Sequence, residues 1–307
     1  MKSRACGSTR FMKTPNCVRA VVALVVSLGS SGALAQVPPA PAPATPAWPA
    51  DAAGLTALGT ELANQWVNAR SVGVQEATSA LMQPGFQLVT FRGAADKVSG
   101  SSRLVGVKTS ESRVTNVVAT RTGDALVVTY LVTGSITVEG KAMPDAPMPR
   151  LAVWQPTDAG WRLAALVSLV MPKERPETTP PAFAGDAALN AEGQAMLTKF
   201  LGAQQRKDME SFELMLADGL QAVNFKGQKV RADLIQGAQH ATTQPPQIND
   251  ARATRSGDLT IVSCNLGMEQ KIGFTTLPGT PVPFLAVFQG TGDDAKVIAI
   301  ANTNRPK

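Results

Sequence analysis

The chain has 307 residues, with 29 Lys and Arg against 23 Asp and Glu and a formal net charge of +6. Five of those basic residues and none of the acidic ones fall in the first 35 positions; the remainder carries 24 against 23, a net +1, which removes the electrostatic case for a nucleic-acid partner. Of three cysteines, Cys6 and Cys17 sit in that same segment, so only Cys264 is left after processing, no intramolecular disulfide is available, and stability must come from packing.

Residues 1–35 predict a secretory signal peptide: Lys2, Arg4, Arg10, Lys13 and Arg19 precede an apolar run from Ala20 to Leu28, and small residues end in Ala33-Leu34-Ala35. Cleavage after Ala35 makes the protein exported, periplasmic or secreted. The alternative is a retained anchor, but the run is shorter than the roughly 18–20 residues that span a bilayer, so no membrane span is expected after cleavage. Residues 36–50 form a Pro/Ala-rich linker biased toward extended polyproline II, most simply a spacer.

Residues 51–171 read as a first domain. Leu55, Leu58, Leu62 and Trp66 share one face of a helix, and a shorter pattern, Val74, Ala77 and Leu81, is stopped by Pro84. Strands are expected near 86–92, 114–121, 124–138, 149–156 and 161–170, with a short helix around 101–107. Thr122-Gly123 is expected to be a hairpin loop with Arg121 and Asp124 paired across it. A second Pro-rich linker covers 172–184, and residues 185–307 form a second domain that opens on Leu189, Met196 and Phe200 and continues through Met209, Phe212 and Met215.

The two domains are copies of one unit. Gly85-Phe-Gln-Leu-Val-Thr-Phe-Arg-Gly93 recurs 134 residues later as Gly219-Leu-Gln-Ala-Val-Asn-Phe-Lys-Gly227, Ala119 to Asp124 recurs as Ala253 to Asp258, and Pro147 to Gln155 recurs as Pro281 to Gln289, all at the same offset. In the first strand every second position is retained, at 85, 87, 89, 91 and 93, while the residues between them have drifted; Pro149, Leu151, Val153 and Gln155 behave alike, and Arg150 and Trp154 face Phe284 and Phe288. The expected role of the retained face is the core of each unit. Gln87 and Gln221 fit that role poorly, because a buried amide needs partners, and they are assigned either to a pocket or to a contact between the copies.

Few side chains offer chemistry. The sole Tyr, Tyr130, aligns with Cys264, and the sole His, His240, aligns with Gly106, so neither is shared by the copies. His240 lies in a polar stretch and is read as a solvated imidazole, Cys264 as an inert buried thiol, and one His with one cysteine supports no metal site. No cofactor motif and no catalytic residue stand out. What remains is an aromatic set at matching positions, Trp66 with Phe200, Phe91 with Phe225, and Trp154 with Phe288, for which core packing competes with an apolar ligand pocket having Tyr130 as its polar handle.

Three stretches, Arg121-Thr-Gly-Asp-Ala-Leu-Val-Val-Thr-Tyr130, Pro149-Arg-Leu-Ala-Val-Trp-Gln155 and Gly160-Trp-Arg-Leu-Ala-Ala-Leu166, with the order helix, short helix, strand, short helix and long strands, resemble the SnoaL-like branch of the nuclear transport factor 2-like superfamily. The second copy matches the first two stretches but has Asp294-Ala-Lys-Val-Ile-Ala-Ile300 at the third, without the Trp. The resemblance implies an α+β fold of two tandem cone-shaped domains, each a strongly curved, mostly antiparallel sheet wrapped around a long N-terminal helix. It also implies a small apolar ligand in the cone, with a site drawn from Trp66, Gln87, Tyr130, Trp154, Phe200, Gln221, Cys264 and Phe288, and a monomer in which the two copies form an intramolecular pseudo-dimer. The expected function is binding of a small apolar ligand or an envelope protein without catalysis. The alternative is an isomerase, cyclase or hydrolase active in one copy, which would show a buried carboxylate near Tyr130; a module with no ligand is the third.

Overall fold

The computed structural model describes residues 46–72, 75–105, 107–138, 140–143, 146–170 and 179–306. The predicted signal peptide, residues 36–45 of the spacer and residues 172–178 of the second linker lie outside the described residues. Among those described, no helix is long and apolar enough to cross a membrane.

The first half runs α1 (Ala52–Ser71), α2 (Gln75–Leu81), β1 (Met82–Thr90), β2 (Gly93–Asp96), α3 (Lys97–Val105), β3 (Val107–Thr122), β4 (Ala125–Val138), the two-residue β5 (Lys141–Ala142), β6 (Met148–Thr157) and β7 (Gly160–Ser168). The second runs α4 (Ala187–Arg206), α5 (Met209–Met215), β8 (Leu216–Asn224), β9 (Gly227–Val230), α6 (Arg231–His240), β10 (Ala241–Thr243), β11 (Gln247–Ser256), β12 (Leu259–Gly267), β13 (Gln270–Ile272), β14 (Thr275–Leu277), β15 (Val282–Gln289) and β16 (Lys296–Asn302). Strand order is β2-β1-β7-β6-β4-β3 in one sheet and β9-β8-β16-β15-β12-β11 in the other, which is the same order under the 134-residue offset. In both sheets the β1–β7 type of pair is parallel and the rest antiparallel. Strands β10, β13 and β14 make a separate small sheet whose pairings, Ala241 with Ile272 and Lys271 with Thr276, repeat at the same offset those of the start of β3, the end of β4 and β5 (Val107 with Val138, Thr137 with Ala142), which in the first half continue the main sheet.

The fold is mixed α+β with curved sheets, and local chemistry explains the curvature. Asn116 in β3 and Asp250 in β11, again 134 apart, both hold a positive φ inside a register shift, and such bulges bend a strand and increase its twist. The long helices lie in the resulting troughs, each started by an aspartate: Asp51 accepts from the Gly54 amide (2.7 Å) and Asp186 from the Leu189 amide (2.8 Å). Gly59 on α1 and Gly193 on α4 let helix and sheet approach closely, because a Cβ there would stand 2.8 Å from the Cβ of Ala119 or Ala253.

The hairpin turns differ from expectation by one residue. Thr122 pairs with Ala125, so the loop is Gly123-Asp124, and Gly123 and Gly257 supply the positive φ it needs. The expected cross-turn ion pair is absent: Arg121 donates to the Gly123 carbonyl (2.9 Å) and stacks over Trp48 (4.1 Å), while Arg255 clasps Glu192 with both oxygens within 3 Å. The last residues of both Pro-rich segments are docked: Trp48 meets Trp161 edge-on, and Ala182 donates to the Ala94 carbonyl.

Three large apolar clusters and a small fourth one (Ile136, Met148 and Val170) divide the interior of the described residues, and the large ones correct the role expected of the retained strand face. One, under α1, contains Trp66, Phe86, Leu88, Tyr130 and Trp154; one, under α4, contains Phe200, Leu220, Ala222, Cys264 and Phe288. The third lies between the two sheets and is built by both halves, with Val89, Val127, Leu151 and Val153 against Val223, Ile261, Leu285 and Val287. Retained positions are therefore those where the halves meet, and drifted positions line each half's own core. A two-fold contact makes one face answer to its own copy, so a change there is felt twice, whereas each trough diverges independently.

The two amides sit at the centre of that contact in a reciprocal arrangement. Gln87 Nε2 donates to the Ile261 carbonyl (2.8 Å) and Thr254 Oγ1 (3.0 Å); Gln221 Nε2 donates to the Val127 carbonyl (2.9 Å) and Thr120 Oγ1 (2.9 Å). Thr254 in turn donates to the Gly85 carbonyl and Thr120 to that of Gly219. Gly85 has no room for a side chain, since a Cβ would fall 2.2 Å from the Arg255 carbonyl oxygen. Of the two roles left open for these glutamines, the contact between copies is the one they occupy.

Candidate functional site

The second half encloses a cavity of about 410 Å³. Helix α4 contributes Phe200 and Leu201, α5 contributes Phe212, α6 contributes Leu234 and Ala238, the main sheet contributes Ala222, Phe284 and Ile300, the β12–β13 connection contributes Met268, and β13 of the small sheet contributes Gln270 and Ile272. Phe200 and Phe212 stack at 5.2 Å and form one wall. Polar groups gather at the mouth: Lys226, Lys229, Asn224 and His240, with Asp233 occupied in accepting from the Val230 amide (3.0 Å) at the start of α6. His240, expected in solvent, is exposed, holds the Gln236 carbonyl at 2.8 Å and lines this mouth.

Sequence differences between the copies bear on where the space lies, although Leu197, Leu201 and Phe212 are larger than their counterparts Ala63, Val67 and Thr78. At equivalent core positions the first half carries Trp66, Phe86, Leu88, Tyr130 and Trp154 where the second has Phe200, Leu220, Ala222, Cys264 and Phe288, each smaller. The first trough is filled by its own side chains. The second is not, and interiors pack too densely for a deficit of that size to vanish by relaxation.

Inside the first half's trough lie two small spaces, of about 40 and 10 Å³, which share Arg70, Ile136 and Arg150 as walls; a further space of about 260 Å³ lies between the 147–149 segment and Asn224, Phe225 and Thr303 of the second half. Trp66 and Tyr130 line the inner one, and Arg92 and Arg103 the outer. Burial pushes the Tyr130 phenol up to about 12, against the opposing pull of Arg150 and Arg70, and lowers both guanidiniums to about 10; all three keep their ordinary protonation at neutral pH.

The eight residues named from the sequence thus separate. Phe200 lines the large cavity, Trp66 and Tyr130 the small inner one, and Trp154, Cys264 and Phe288 are packed in the two cores. Gln87 and Gln221 lie between the sheets, away from these spaces. Burial raises the Cys264 thiol well above its usual range, which keeps it protonated and unreactive. Among the described residues no cluster of His, Cys, Asp and Glu is placed to hold a metal. The residues missed from sequence are Arg70, Arg150, Phe212, Met268 and Phe284. Arg150 and Phe284 did carry a signal, since both stand on the drifted parity of their strand, which proves to be the inward one.

No protein-family model and no curated protein matches the sequence. Among solved structures, the chain is similar to an NTF2-like protein from Cytophaga hutchinsonii (13% identity, 35% of this chain and 91% of that one, TM-score 0.33). It is also similar to an NTF2-like protein of unknown function in nutrient uptake from Rhodospirillum rubrum (19%, 34% and 92%, TM-score 0.32) and to a ketosteroid isomerase-like protein from Erwinia carotovora atroseptica (18%, 39% and 96%, TM-score 0.32). Likeness at this level carries no inference about activity.

Proposed function

We propose that this is an exported, non-enzymatic protein of two nuclear transport factor 2-like domains that binds a small apolar molecule in the second of them. The observation that carries this reading is the cavity beneath α4, lined mainly by apolar and aromatic side chains with a few polar groups among them, the buried Gln270 included, the usual composition of a site that takes up a hydrophobic ligand. Catalysis in one copy has less support. It called for a carboxylate beside Tyr130, and the groups around that phenol among the described residues are the guanidiniums of Arg70 and Arg150. The contact between the sheets supports a monomer whose halves satisfy each other's outer faces.

The test is native mass spectrometry of the protein recovered from its own cell envelope, beside an Ala222→Leu variant that restores the first half's larger residue. The expected spectrum has a mature chain starting at Gln36 with a retained small-molecule mass that the variant lacks. A mature wild-type chain free of adducts, or an adduct equally present in Ala222→Leu, overturns the assignment.

A further inference from the structure

Arg150 is only 4 % exposed, and among the described residues the one hydrogen bond its guanidinium makes is to the carbonyl of its own neighbour, Pro149 (3.2 Å). A guanidinium has five N–H donors and is costly to bury without an anion. Arg70 and Tyr130 line the same inner space; Tyr130 is fully buried, and its hydroxyl has no hydrogen-bond partner. Arg92 and Arg103 flank the outer space, where Arg103 spends one nitrogen on the Gly93 carbonyl and Arg92 one on the Arg103 carbonyl. Among the described residues, four guanidiniums line these spaces and no carboxylate does.

Size and wall chemistry narrow the missing partner. One water needs on the order of 10–15 Å³ of such space, so spaces of about 40 and 10 Å³ admit a few heavy atoms and exclude a nucleotide or a sterol. The remaining walls of the outer space are mostly apolar, Leu88, Leu166, Ile136 and Val170 among them with the hydroxyls of Thr90 and Ser168, and the inner space adds Thr109 and Ser112; that balance favours a short aliphatic tail over a fully hydrated tetrahedral oxyanion. A planar carboxylate matches the fork of a guanidinium and also accepts from a phenol.

From this we infer a second ligand site, in the first half, for a short-chain carboxylic acid of about two or three carbons, its carboxylate held by Arg150, Arg70 and the Tyr130 hydroxyl and its tail against Leu88 and Leu166. This site is separate from the cavity beneath α4 and does not depend on it. The duplicated trough then serves two chemistries: an arginine at 150 where the other copy has Phe284 converts an apolar wall into an anion clasp.

The test is thermal unfolding of the full chain with sodium propionate, sulfate or chloride at matched ionic strength, for wild type and for Arg150→Met, Arg70→Met, Tyr130→Phe and Ala222→Leu. Propionate is expected to raise Tm in a concentration-dependent way while the inorganic anions do not. Arg150→Met loses that shift with no fall in its ligand-free Tm, since a buried uncompensated charge has been removed. Arg70→Met weakens the shift from the opposite wall, Tyr130→Phe lowers the apparent affinity about tenfold through loss of a charge-assisted hydrogen bond, and Ala222→Leu binds propionate as wild type does. No shift with propionate, an equal shift with sulfate or chloride, or a propionate shift that survives Arg150→Met each overturns the proposal.

Discussion

Replacing Gln221 with Met keeps the side-chain volume and removes its polar end, which isolates what the reciprocal amides contribute to the contact between the halves. Gln221 makes three short hydrogen bonds: two donated, to the Val127 carbonyl and Thr120 Oγ1, and one accepted from Thr129 Oγ1. Gln87 makes the two equivalent donations and a third, long one to the Arg252 carbonyl (3.5 Å), but among the described residues its Oε1 has no partner, and Ser263, which stands where Thr129 does in the other copy, likewise has an unpartnered hydroxyl. A buried hydrogen bond contributes about 1 kcal/mol net, and groups left unpaired add to the loss. Gln221→Met is therefore expected to destabilise by about 3 kcal/mol and Gln87→Met by about 2 kcal/mol, a large share of a total on the order of 5–15 kcal/mol. Urea unfolding of the full chain, followed by tryptophan fluorescence with the m-value compared between variants, measures both. Losses below about 1 kcal/mol for both variants, or a larger loss for Gln87→Met, would refute the view that these amides fasten the two sheets together.

Gly85→Ala is expected to cost about 3 kcal/mol or more, because the new Cβ would meet a backbone oxygen at 2.2 Å, whereas Gly219→Ala meets the Thr122 hydroxyl at 2.9 Å, a side chain that can turn away, and a backbone oxygen, that of Arg121, only at 3.1 Å, and is expected to cost less, about 1–2 kcal/mol; the same urea experiment ranks them. Tyr130 is the only tyrosine, so absorbance at 295 nm reports its ionisation alone. Its folded value is raised to about 12 from the ordinary 10, so the stability it contributes is fully present below pH 10 and is lost as pH rises through 12. Native protein should accordingly show no phenolate at pH 10.5 while urea-unfolded protein shows a majority, and a native titration midpoint near 10 would contradict the burial of that hydroxyl.

Much of the architecture was legible because it rests on local pattern. The 134-residue offset, the helix faces through Leu62 and Trp66 and through Met196 and Phe200, and the alternating strands all depend on periodicity that a sequence displays directly. The hairpins were placed to within a residue; the slip came from assigning the loop to Thr122-Gly123 when the turn needs the positive φ of Gly123 at its first central position. The pairing of Arg121 with Asp124 failed for a tertiary reason, since Trp48, more than seventy residues earlier in the chain, offers that guanidinium an aromatic face.

What one sequence displayed by itself was a repeat at a 134-residue offset, which positions in it match and which differ. It did not determine which way the held face points, because period-two alternation distinguishes two faces of a strand without saying what each one meets. Only the tertiary structure decided that. The held face carries Gln87, Gln221 and their reciprocal partners and closes the halves on one another, while the drifted face lines two troughs. There small residues leave a 410 Å³ apolar cavity in one copy, and in the other large residues with Arg150 leave a narrow basic one. The reason is steric and reciprocal: at the contact each substitution must suit its own counterpart, while the two interiors share no wall and are free to differ.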